Sequence, residues 1–477
     1  MRAEDSDHIN AYSGEVLMGL EKQGGIRKIS VRGFKSIFDK QTIEITPLTL
    51  LAGANSSGKS SMMQPMLLLK QTLESVFDPG PLLLDGPNVR LSNAREVLSS
   101  FKQPQGERQQ RPESSFSVGV ESLSTEDDRF VSIYVTYKLR QKLYGGFEIS
   151  RQEYSVGNST YSLWPSISIN DFAAQDARLE FLRDSKTYLK VFRDRCFLSY
   201  RLRIRPPDDV EEKREELMKL VDRLDELPFE FTYPRYDAIE QGIRGMIHLP
   251  GFRGNPVRDY PVAGIGEFYP GTFEHYVAGV LQNWRSTQEG KSKLAALNKD
   301  LELLDLTSRI MPKRISDTRS RIDVERKKHA GFVSIADVGF GLSQVLPVLV
   351  ALHVAKPGQL VFVEQPEMHL HPKAQLLLAK VLTQAAKRGV RVVAETHSSL
   401  LLLGVQTEIA EQRIDRNLVR FHWFSLSPDG KTEVHSASPN EFGAVGDWPQ
   451  DFGTTELEAQ KKYLDVSERR MREGNVS

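Results

Sequence analysis

Eight consecutive residues in the first sixth of the sequence have the types and spacing of an anion-binding loop. They are Gly53, Ala54, Asn55, Ser56, Ser57, Gly58, Lys59 and Ser60, with Ser61 directly after them. Glycines let backbone N–H groups turn toward a phosphate at a helix N-terminus, whose dipole favours negative charge. In this pattern Lys59 would reach the β- and γ-phosphates, and the Ser60 hydroxyl would ligate Mg²⁺. This phosphate loop, Gly53–Ser60, predicts the binding of a nucleoside triphosphate.

Two further polar groups follow apolar runs in the second half of the sequence. Glu364 ends the run 359–363, which is typical of a parallel strand buried on both faces. In phosphate-loop proteins the acid at the end of such a strand holds Mg²⁺. His397 follows a second such run, 390–395, at the edge where ligands gather in open α/β sheets. The pattern predicts a metal-holding acid and a γ-phosphate sensor.

A second glycine-rich stretch lies before Glu364. It covers 337–344 and opens a predicted helix over 345–354. A glycine-rich turn that leads into a helix N-terminus is again an anion site. Gly339, Gly341 and Ser343 are its candidate phosphate contacts.

The elements that must position these residues follow from hydrophobic patterning. The run 48–51 predicts a buried strand before the phosphate loop, and 62–70 predicts a helix after it. Short alternating strands over about 115–169 predict an antiparallel lobe. The predicted units are a flexible lead-in, the first half of an α/β head, an inserted mainly helical subdomain with a basic hairpin, the second half of the head, and a hairpin with a tail: 1–24, 25–170, 171–330, 331–415 and 416–477.

Composition narrows the class of protein. At 477 residues the chain exceeds one ordinary core, and 63 basic residues balance 63 acidic ones. The single cysteine, Cys196, excludes an intrachain disulfide framework and a cysteine-based zinc site. No signal-peptide pattern and no run of about 18 apolar residues occurs, so we expect a cytoplasmic protein without a membrane partner.

Two basic stretches raise the question of nucleic acid. Residues 183–205 contain eight basic residues with aromatics between them, a pattern that could grip a nucleic-acid backbone. The simpler interpretation, which we favour, is a solvated helical face that pairs with the acidic segment after it. Residues 313–328 alternate and predict a hairpin surface.

The order of these motifs resembles that of the ABC-type ATPases of the RecF, SMC and OLD group. The resemblance covers about 26–75 and 330–400, and it implies ATP and Mg²⁺ as cofactors. It makes Gly53–Ser60 the Walker A loop, Glu364 the Walker B acid, Gly339–Gln344 the signature and His397 the switch histidine. It also implies nucleotide contacts from Arg32 and Lys35, near a Gly-Phe-Lys-Ser turn. Heads of this group dimerise head to tail, so a homodimer or higher homo-oligomer is expected.

A closer likeness is to bacterial ABC ATPases with a Glu-x-Pro-Glu-x-His-Leu-His-Pro Walker B region, matched here by Glu364–Pro372. A Gly-Asp-Trp-Pro segment, as at Gly446–Pro449, follows in these proteins. Many are encoded in anti-phage operons beside an effector gene. The resemblance therefore implies a nucleotide-gated sensor or scaffold that controls an effector. The alternatives are a DNA-clamping repair ATPase, with 183–205 as its basic surface, and a binding scaffold with negligible hydrolysis.

Three departures from the family pattern bear on chemistry. Gln365 stands where the water-activating glutamate is usual, and an amide cannot accept the proton, so slow turnover is expected unless Glu367 serves as the base. The signature is Gly-Phe-Gly-Leu-Ser-Gln instead of Leu-Ser-Gly-Gly-Gln. A glutamine loop cannot be assigned to any residue. Separately, no Asp-x-Asp pair of a Toprim nuclease follows His397, so nuclease activity is not expected. His369 and His371 are expected to have a loop or dimer-contact role in preference to a metal-binding one.

Overall fold

The computed structural model describes most of the chain. The described residues are 23–100, 114–124, 129–140, 146–179, 183, 187–204, 237–262, 264, 266–446 and 461–467. The predicted lead-in, the acidic helix expected after residue 205 and most of the Gly-Asp-Trp-Pro segment lie outside them.

A six-stranded sheet carries the phosphate loop. Its order is β10-β15-β16-β3-β17-β18, parallel except for the final antiparallel pair. The strands are β3 (Leu48–Gly53), β10 (Ile247–Leu249), β15 (Leu360–Glu364), β16 (Arg391–Thr396), β17 (Val419–Leu426) and β18 (Thr432–Ala437). Leu50 and Leu51 of β3 belong to two different hydrophobic clusters, so apolar layers cover both faces of the sheet. Burial on both faces explains why the sequence of β3 is apolar without alternation.

A second six-stranded sheet is antiparallel, with the order β2-β1-β4-β5-β6-β7. Its strands are β1 (Gly25–Arg32), β2 (Gln41–Glu44), β4 (Ser115–Leu123), β5 (Phe130–Leu139), β6 (Phe147–Val156) and β7 (Ser159–Leu163). Alternating burial along β5 leaves one face against the core, as period-2 patterning requires. The predicted antiparallel lobe and the mixed α/β class are confirmed.

Helices cover the sheets. They are α1 (Lys59–Glu74), α2 (Ile169–Ala173), α3 (Asp237–Arg244), α4 (Val277–Ser286), α5 (Gln288–Leu303), α6 (Phe340–Val354), α7 (Pro372–Lys387) and α8 (Ser399–Ala410), and residues 461–467 are also helical. The helix α6 is nearly apolar on all sides, since it lies between the parallel sheet and α4, α5 and α7. No helix in the described ranges is long and apolar enough to cross a membrane.

The remaining strands form two small sheets. Strands β11 (Tyr260–Pro261), β12 (Arg309–Arg314), β13 (Arg319–Glu325) and β14 (Phe332–Ser334) form one of them, and the pair β8 (Thr187–Asp194) and β9 (Phe197–Ile204) forms the other. The antiparallel β12–β13 pair confirms the hairpin predicted over 313–328.

The prediction of helix over 187–204 is wrong. These residues form the β8–β9 hairpin, whose turn holds Arg195 at φ 50. Segments rich in Val, Ile, Phe and Tyr favour strands. The hairpin also docks on β6, where the Gln152 side chain exchanges two hydrogen bonds with the backbone of Leu198. Tertiary contacts therefore decide the structure of this segment.

Candidate functional site

The phosphate loop leaves β3 in a conformation that requires glycine at two positions. Gly53 has φ 145 and Gly58 has φ 102, both in the region that L side chains avoid. A Cβ at Gly53 would lie 2.2 Å from the Phe424 carbonyl oxygen, and one at Gly58 would lie 2.2 Å from Thr432 Oγ1. Asn55 and the rest of the loop tip are exposed. The two glycines thus fix the exit of the loop from the sheet and its entry into α1.

Lys59 begins α1 and folds back into the loop. Its ammonium donates to the carbonyl oxygens of Gly53 at 2.9 Å and Ala54 at 2.6 Å. Burial lowers the pKa of Lys59, and the charge of Glu395 raises it in part. The ammonium therefore lies inside the loop, where a phosphate-binding lysine is required.

Ser60 contacts a carboxylate that the sequence prediction missed. Its hydroxyl donates to Glu395 Oε1 at 2.8 Å. Glu395 lies in β16, directly opposite Glu364 in the parallel register. The pKa of Glu395 is raised to about 7, mainly by burial; the hydrogen bond from Ser60 and the charge of Lys59 lower it in part, and the charges of Glu364 and Glu367 add to the rise. The sequence signal that could have revealed Glu395 is the second apolar run, 390–395, which ends at this acid.

Three groups hold the predicted Walker B acid, Glu364. Gly251 N donates to Oε2 at 3.1 Å, and His248 Nε2 lies 3.3 Å from Oε1. Asn88 Nδ2 lies 3.1 Å from His248 Nδ1, so Nε2 carries the proton that faces Glu364. Burial alone would raise the pKa of Glu364, but His248, Gly251 and Arg253 together lower it. Glu364 is therefore ionised and available to a cation.

Glu367 and His397 meet in the structure. Glu367 Oε1 accepts from Thr396 Oγ1 at 2.7 Å and from His397 N at 3.0 Å. Burial raises the pKa of Glu367. Burial and the charge of Lys59 lower the pKa of His397, although a hydrogen bond with the Gly53 backbone opposes them. A neutral His397 thus lies beside the start of the phosphate loop, the place predicted for a γ-phosphate sensor.

Gln365 leaves β15 in a left-handed conformation, with φ 46. Its N–H donates to the Glu395 carbonyl oxygen at 2.7 Å, which keeps it at the strand end. Its side-chain oxygen lies on the side of Gly251, where a Cβ would be 3.8 Å away. The amide is thus next to Glu364, at the position where a catalytic base was expected.

The glycine-rich stretch before Glu364 is helical from Phe340 onward, so the prediction of a helix start at residue 345 is wrong. Gly341 and Ser343 lie in the first turn, where Ser343 Oγ donates to the Phe340 carbonyl oxygen at 2.7 Å. Gly339 caps the helix and is exposed, and no atom in the described part of the chain lies within 4 Å of a Cβ placed on it. Gly341 has no such room, because a Cβ would lie 2.7 Å from the His369 carbonyl oxygen.

Arg253 joins the signature helix to the Walker B strand. It is 6% exposed, and its guanidinium donates to the carbonyl oxygens of Gln344, Glu364 and Gln365. Burial lowers the pKa of Arg253 to about 10, which leaves it charged. No motif pointed to Arg253, because it belongs to a short segment after β10.

Thr432 supports the loop from the C-terminal hairpin β17–β18, a hairpin that the sequence predicted. Its Oγ1 lies 2.9 Å from the Ser57 carbonyl oxygen and 2.8 Å from Ser36 Oγ. Its N–H donates to the Ser36 carbonyl oxygen at 2.8 Å. A threonine far along the chain therefore fixes the conformation of the phosphate loop.

Arg32 and Lys35, the other predicted nucleotide contacts, have different surroundings. Arg32 is exposed at the end of β1, opposite Ser117 of β4. Lys35, at φ 47, donates to Gln64 Oε1 on α1 at 2.5 Å. Lys35 thus contacts the helix that follows the loop, and the nucleotide contacts of both residues stay predictions.

The basic hairpin β8–β9 contacts the far end of α1. Arg195 donates to the Ser75 carbonyl oxygen at 2.7 Å, and Arg193 pairs with Asp78. Lys190 and Arg201 lie directly opposite each other, and both are exposed. Two arginines of the run therefore hold α1, while a like-charged pair faces solvent.

His369 and His371 lie in the turn between β15 and α7. His369 has φ 64, and its ring meets Phe340 edge to face at 5.0 Å. His371 Nδ1 accepts from Lys373 N at 3.4 Å and caps α7. Within the described ranges no group of three or more His, Cys, Asp or Glu residues could hold a metal ion by itself.

The donor set at Ser60 suits Mg²⁺, which prefers oxygen ligands from one or two carboxylates together with substrate phosphates. Two buried carboxylate oxygens that have no hydrogen-bond partner within the described ranges support this: Glu395 Oε2 and Glu367 Oε2. Ser60 and Glu364 would hold the ion.

Comparisons with known proteins agree with a nucleotide site. A family model described as "AAA domain, putative AbiEii toxin, Type IV TA system" matches residues 198–403, less than half of the chain. The match includes Glu364 and His397 and excludes the phosphate loop. No curated protein matches.

Three solved structures of SMC heads are similar. One is the SmcHead bound to the C-winged helix domain of ScpA, at 13% identity, TM-score 0.43, and coverage of 87% of this chain and 98% of that one. The second is the SMC head domain from Thermotoga maritima, at 10% identity and a TM-score of 0.38, with coverage of 86% of this chain and 98% of that one. The third is an Smc head domain with an extended coiled coil bound to the C-terminal domain of ScpA, derived from Pyrococcus furiosus. It has 12% identity and a TM-score of 0.40, with coverage of 93% of this chain and 100% of that one. Likenesses of this size carry no information on activity or partners.

The phosphate loop at the end of β3, the contact of Ser60 with Glu395 and the partial match to an AAA domain are together the features of a P-loop nucleotide-binding protein.

Proposed function

We propose that this chain is an ATP-binding and slowly hydrolysing ABC-type ATPase of a prokaryotic anti-phage system. In this proposal it acts as a nucleotide-gated dimeric scaffold that controls a partner effector. One observation carries the ATP site: Lys59 and Ser60 follow the C-terminal end of β3, where Ser60 donates to Glu395 of β16, and Glu395 is paired in register with Glu364 at the end of β15. This arrangement can bind a triphosphate with Mg²⁺ and stabilise the charge of a transferring phosphoryl group.

Slow turnover is supported by the groups next to Glu364. Gln365 presents an amide, which cannot act as a general base. Glu367, the alternative base, is 7% exposed and already accepts from Thr396 and His397. A site that binds ATP and hydrolyses it slowly is better suited to controlling the state of a partner than to driving repeated movement.

The role beside an effector is supported by the sequence likeness of Glu364–Pro372 to defence ATPases. The description of the matching family, with its putative AbiEii toxin and Type IV TA system, also supports it. Both point to a protein that acts with a second component.

Lys59→Ala tests the proposal. We expect loss of ATP binding in calorimetry, because the ammonium that would contact the β- and γ-phosphates is removed. We also expect loss of phage protection in cells that carry the chain with its neighbouring genes. Lys299→Ala, an exposed lysine on α5, is the matched control and should change neither result. Wild-type protein that binds no ATP, or full protection by Lys59→Ala, would refute the proposal.

A DNA clamp is the second candidate, and one observation favours it. Lys190 and Arg201 face each other on β8–β9, and like charges directly opposite are unfavourable unless an anion lies nearby. If DNA binds there, Lys190→Glu with Arg201→Glu should abolish an ATP-dependent, salt-sensitive shift of duplex DNA. Arg193 and Arg195 are poor test positions, because they hold α1. Absence of any DNA binding by wild type at low salt would exclude this candidate.

A further inference from the structure

Glu395 occupies a position between the phosphate loop and the Walker B acid. Strand β16 lies between β15 and β3, and the register aligns Glu395 with Glu364 on one side and Leu51 on the other. Leu51 is two residues before Gly53, where the loop begins. The carboxylate of Glu395 is therefore directed into the place where a Mg²⁺–triphosphate complex would lie.

The contact with Ser60 fixes the direction of a hydroxyl. Ser60 Oγ donates to Glu395 Oε1 at 2.8 Å. A serine hydroxyl has one proton and two lone pairs. Because the proton is committed to Glu395, the lone pairs are directed elsewhere and can bind a cation. The hydrogen bond also increases the negative charge on the oxygen that would ligate the ion.

The burial of Glu395 is costly without a positive charge nearby. The residue is 5% exposed, and Oε2 has no hydrogen-bond partner among the described residues. Glu364 and Glu367 are close enough to act on it electrostatically, and both are carboxylates. Buried like charges that share a site are unfavourable. Lys59 interacts electrostatically with Glu395, but its ammonium donates its hydrogen bonds to carbonyl oxygens of the loop.

We propose that Glu395 is a positioning residue of the divalent-cation site. It orients the Ser60 hydroxyl toward the ion and, together with Glu364, offsets the positive charge of the ion. This inference rests on the proposed ATP site and adds a second carboxylate to it. It assigns to β16 a part in cation binding as well as the presentation of His397.

Glu395→Gln tests the inference with Mn²⁺ as the probe. The amide keeps the size of the side chain but loses its charge and its full capacity as an acceptor. We expect Mn²⁺ affinity in the presence of ATP, measured by electron paramagnetic resonance, to fall roughly 10- to 100-fold, as for other groups that orient metal ligands. ATP affinity in EDTA should stay unchanged. Glu395→Asp, which restores the charge on a shorter side chain, should recover part of the Mn²⁺ affinity.

Glu408→Gln is the matched control. Glu408 is a buried glutamate on α8, away from the loop, and it pairs with Arg413. It should leave Mn²⁺ affinity unchanged. Unchanged Mn²⁺ affinity in Glu395→Gln would overturn the inference, and if turnover alone fell, the result would indicate proton transfer. Loss of ATP binding in EDTA would also overturn it, because Glu395 would then be needed for the loop itself. Wild type that binds no ATP would refute the proposed function first.

Discussion

In the proposed ATPase, Gln365 is the side chain that would limit the rate of hydrolysis. It follows Glu364 directly and adopts φ 46, so the chain turns at the position where a base would face the attacking water. A left-handed non-glycine residue costs roughly 1–2 kcal/mol, which the Gln365 N–H bond to Glu395 helps to offset. The chain therefore holds an amide in a strained conformation directly after Glu364.

We predict that Gln365→Glu raises the rate of ATP hydrolysis by about 10²-fold, because a general base typically contributes 10²- to 10⁴-fold. Phosphate release under saturating ATP measures it. Gln365→Ala is the control and should not raise the rate. If wild type already hydrolysed ATP as fast as Gln365→Glu, the assignment of Gln365 to the base position would be wrong.

At the scale of elements, His422 joins the two large sheets. It lies in β17, where Nε2 is 2.9 Å from the Glu44 carbonyl oxygen of β2 and Nδ1 is 2.8 Å from Ser436 Oγ of β18. Burial lowers the pKa of His422 to about 4, despite the hydrogen bond with Glu44. A neutral imidazole satisfies both partners, with Nε2 as donor and Nδ1 as acceptor.

This pKa predicts a pH dependence of stability. The unfolded histidine titrates near 6.5. Between pH 6.5 and about 4 the unfolded state therefore binds more protons, so stability present above pH 6.5 is lost as the pH falls. The loss from this group reaches about 3 kcal/mol, since one pKa unit is worth about 1.4 kcal/mol. Urea unfolding of wild type and His422→Gln from pH 7 to 4.5 measures it. Equal slopes in the two proteins would contradict the prediction.

The sequence predicted elements whose signal is local and missed contacts that only the fold creates. The phosphate loop, Glu364 and His397 could be found because apolar runs end at them. Glu395 ends a similar run, but only the parallel register shows that it faces Ser60. Arg253 acts through distant backbone carbonyls, which no periodicity reveals. Residues 187–204 become strands because of β6, so local charge patterning misled the helix prediction there.

For the whole molecule, the exposed start of α6 offers a test of the proposed dimer. Gly339 has free space around it, so a side chain there should not disturb the monomer. We predict that Gly339→Glu retains ATP affinity but loses the ATP-dependent dimer, because its carboxylate would face the partner's triphosphate, and opposed like charges cost several kcal/mol. Light scattering with and without ATP measures the mass.

Gly446→Glu provides the control, since Gly446 is also exposed and no described residue lies within 4 Å of a Cβ placed on it. It should dimerise as wild type does. A Gly339→Glu protein that still doubled its mass with ATP would exclude this surface from the dimer contact. Gly341 is unsuitable for such a test, because a Cβ there would strike the His369 carbonyl oxygen within the same chain.

Strand β3 is hydrogen-bonded on one side to β16 and on the other to β17, both of which come from the last quarter of the sequence. During translation at roughly 5–20 residues per second, β3 would emerge from the ribosome about 20 to 70 s before either neighbour. An entirely buried strand would thus remain unpaired on the nascent chain for that time, exposed to aggregation. ATP binding could not stabilise the strand during this time, because Thr432, which holds the loop through the Ser57 carbonyl oxygen, is made later still. Production of this protein should therefore depend on chaperones or slow growth more than its final stability would suggest.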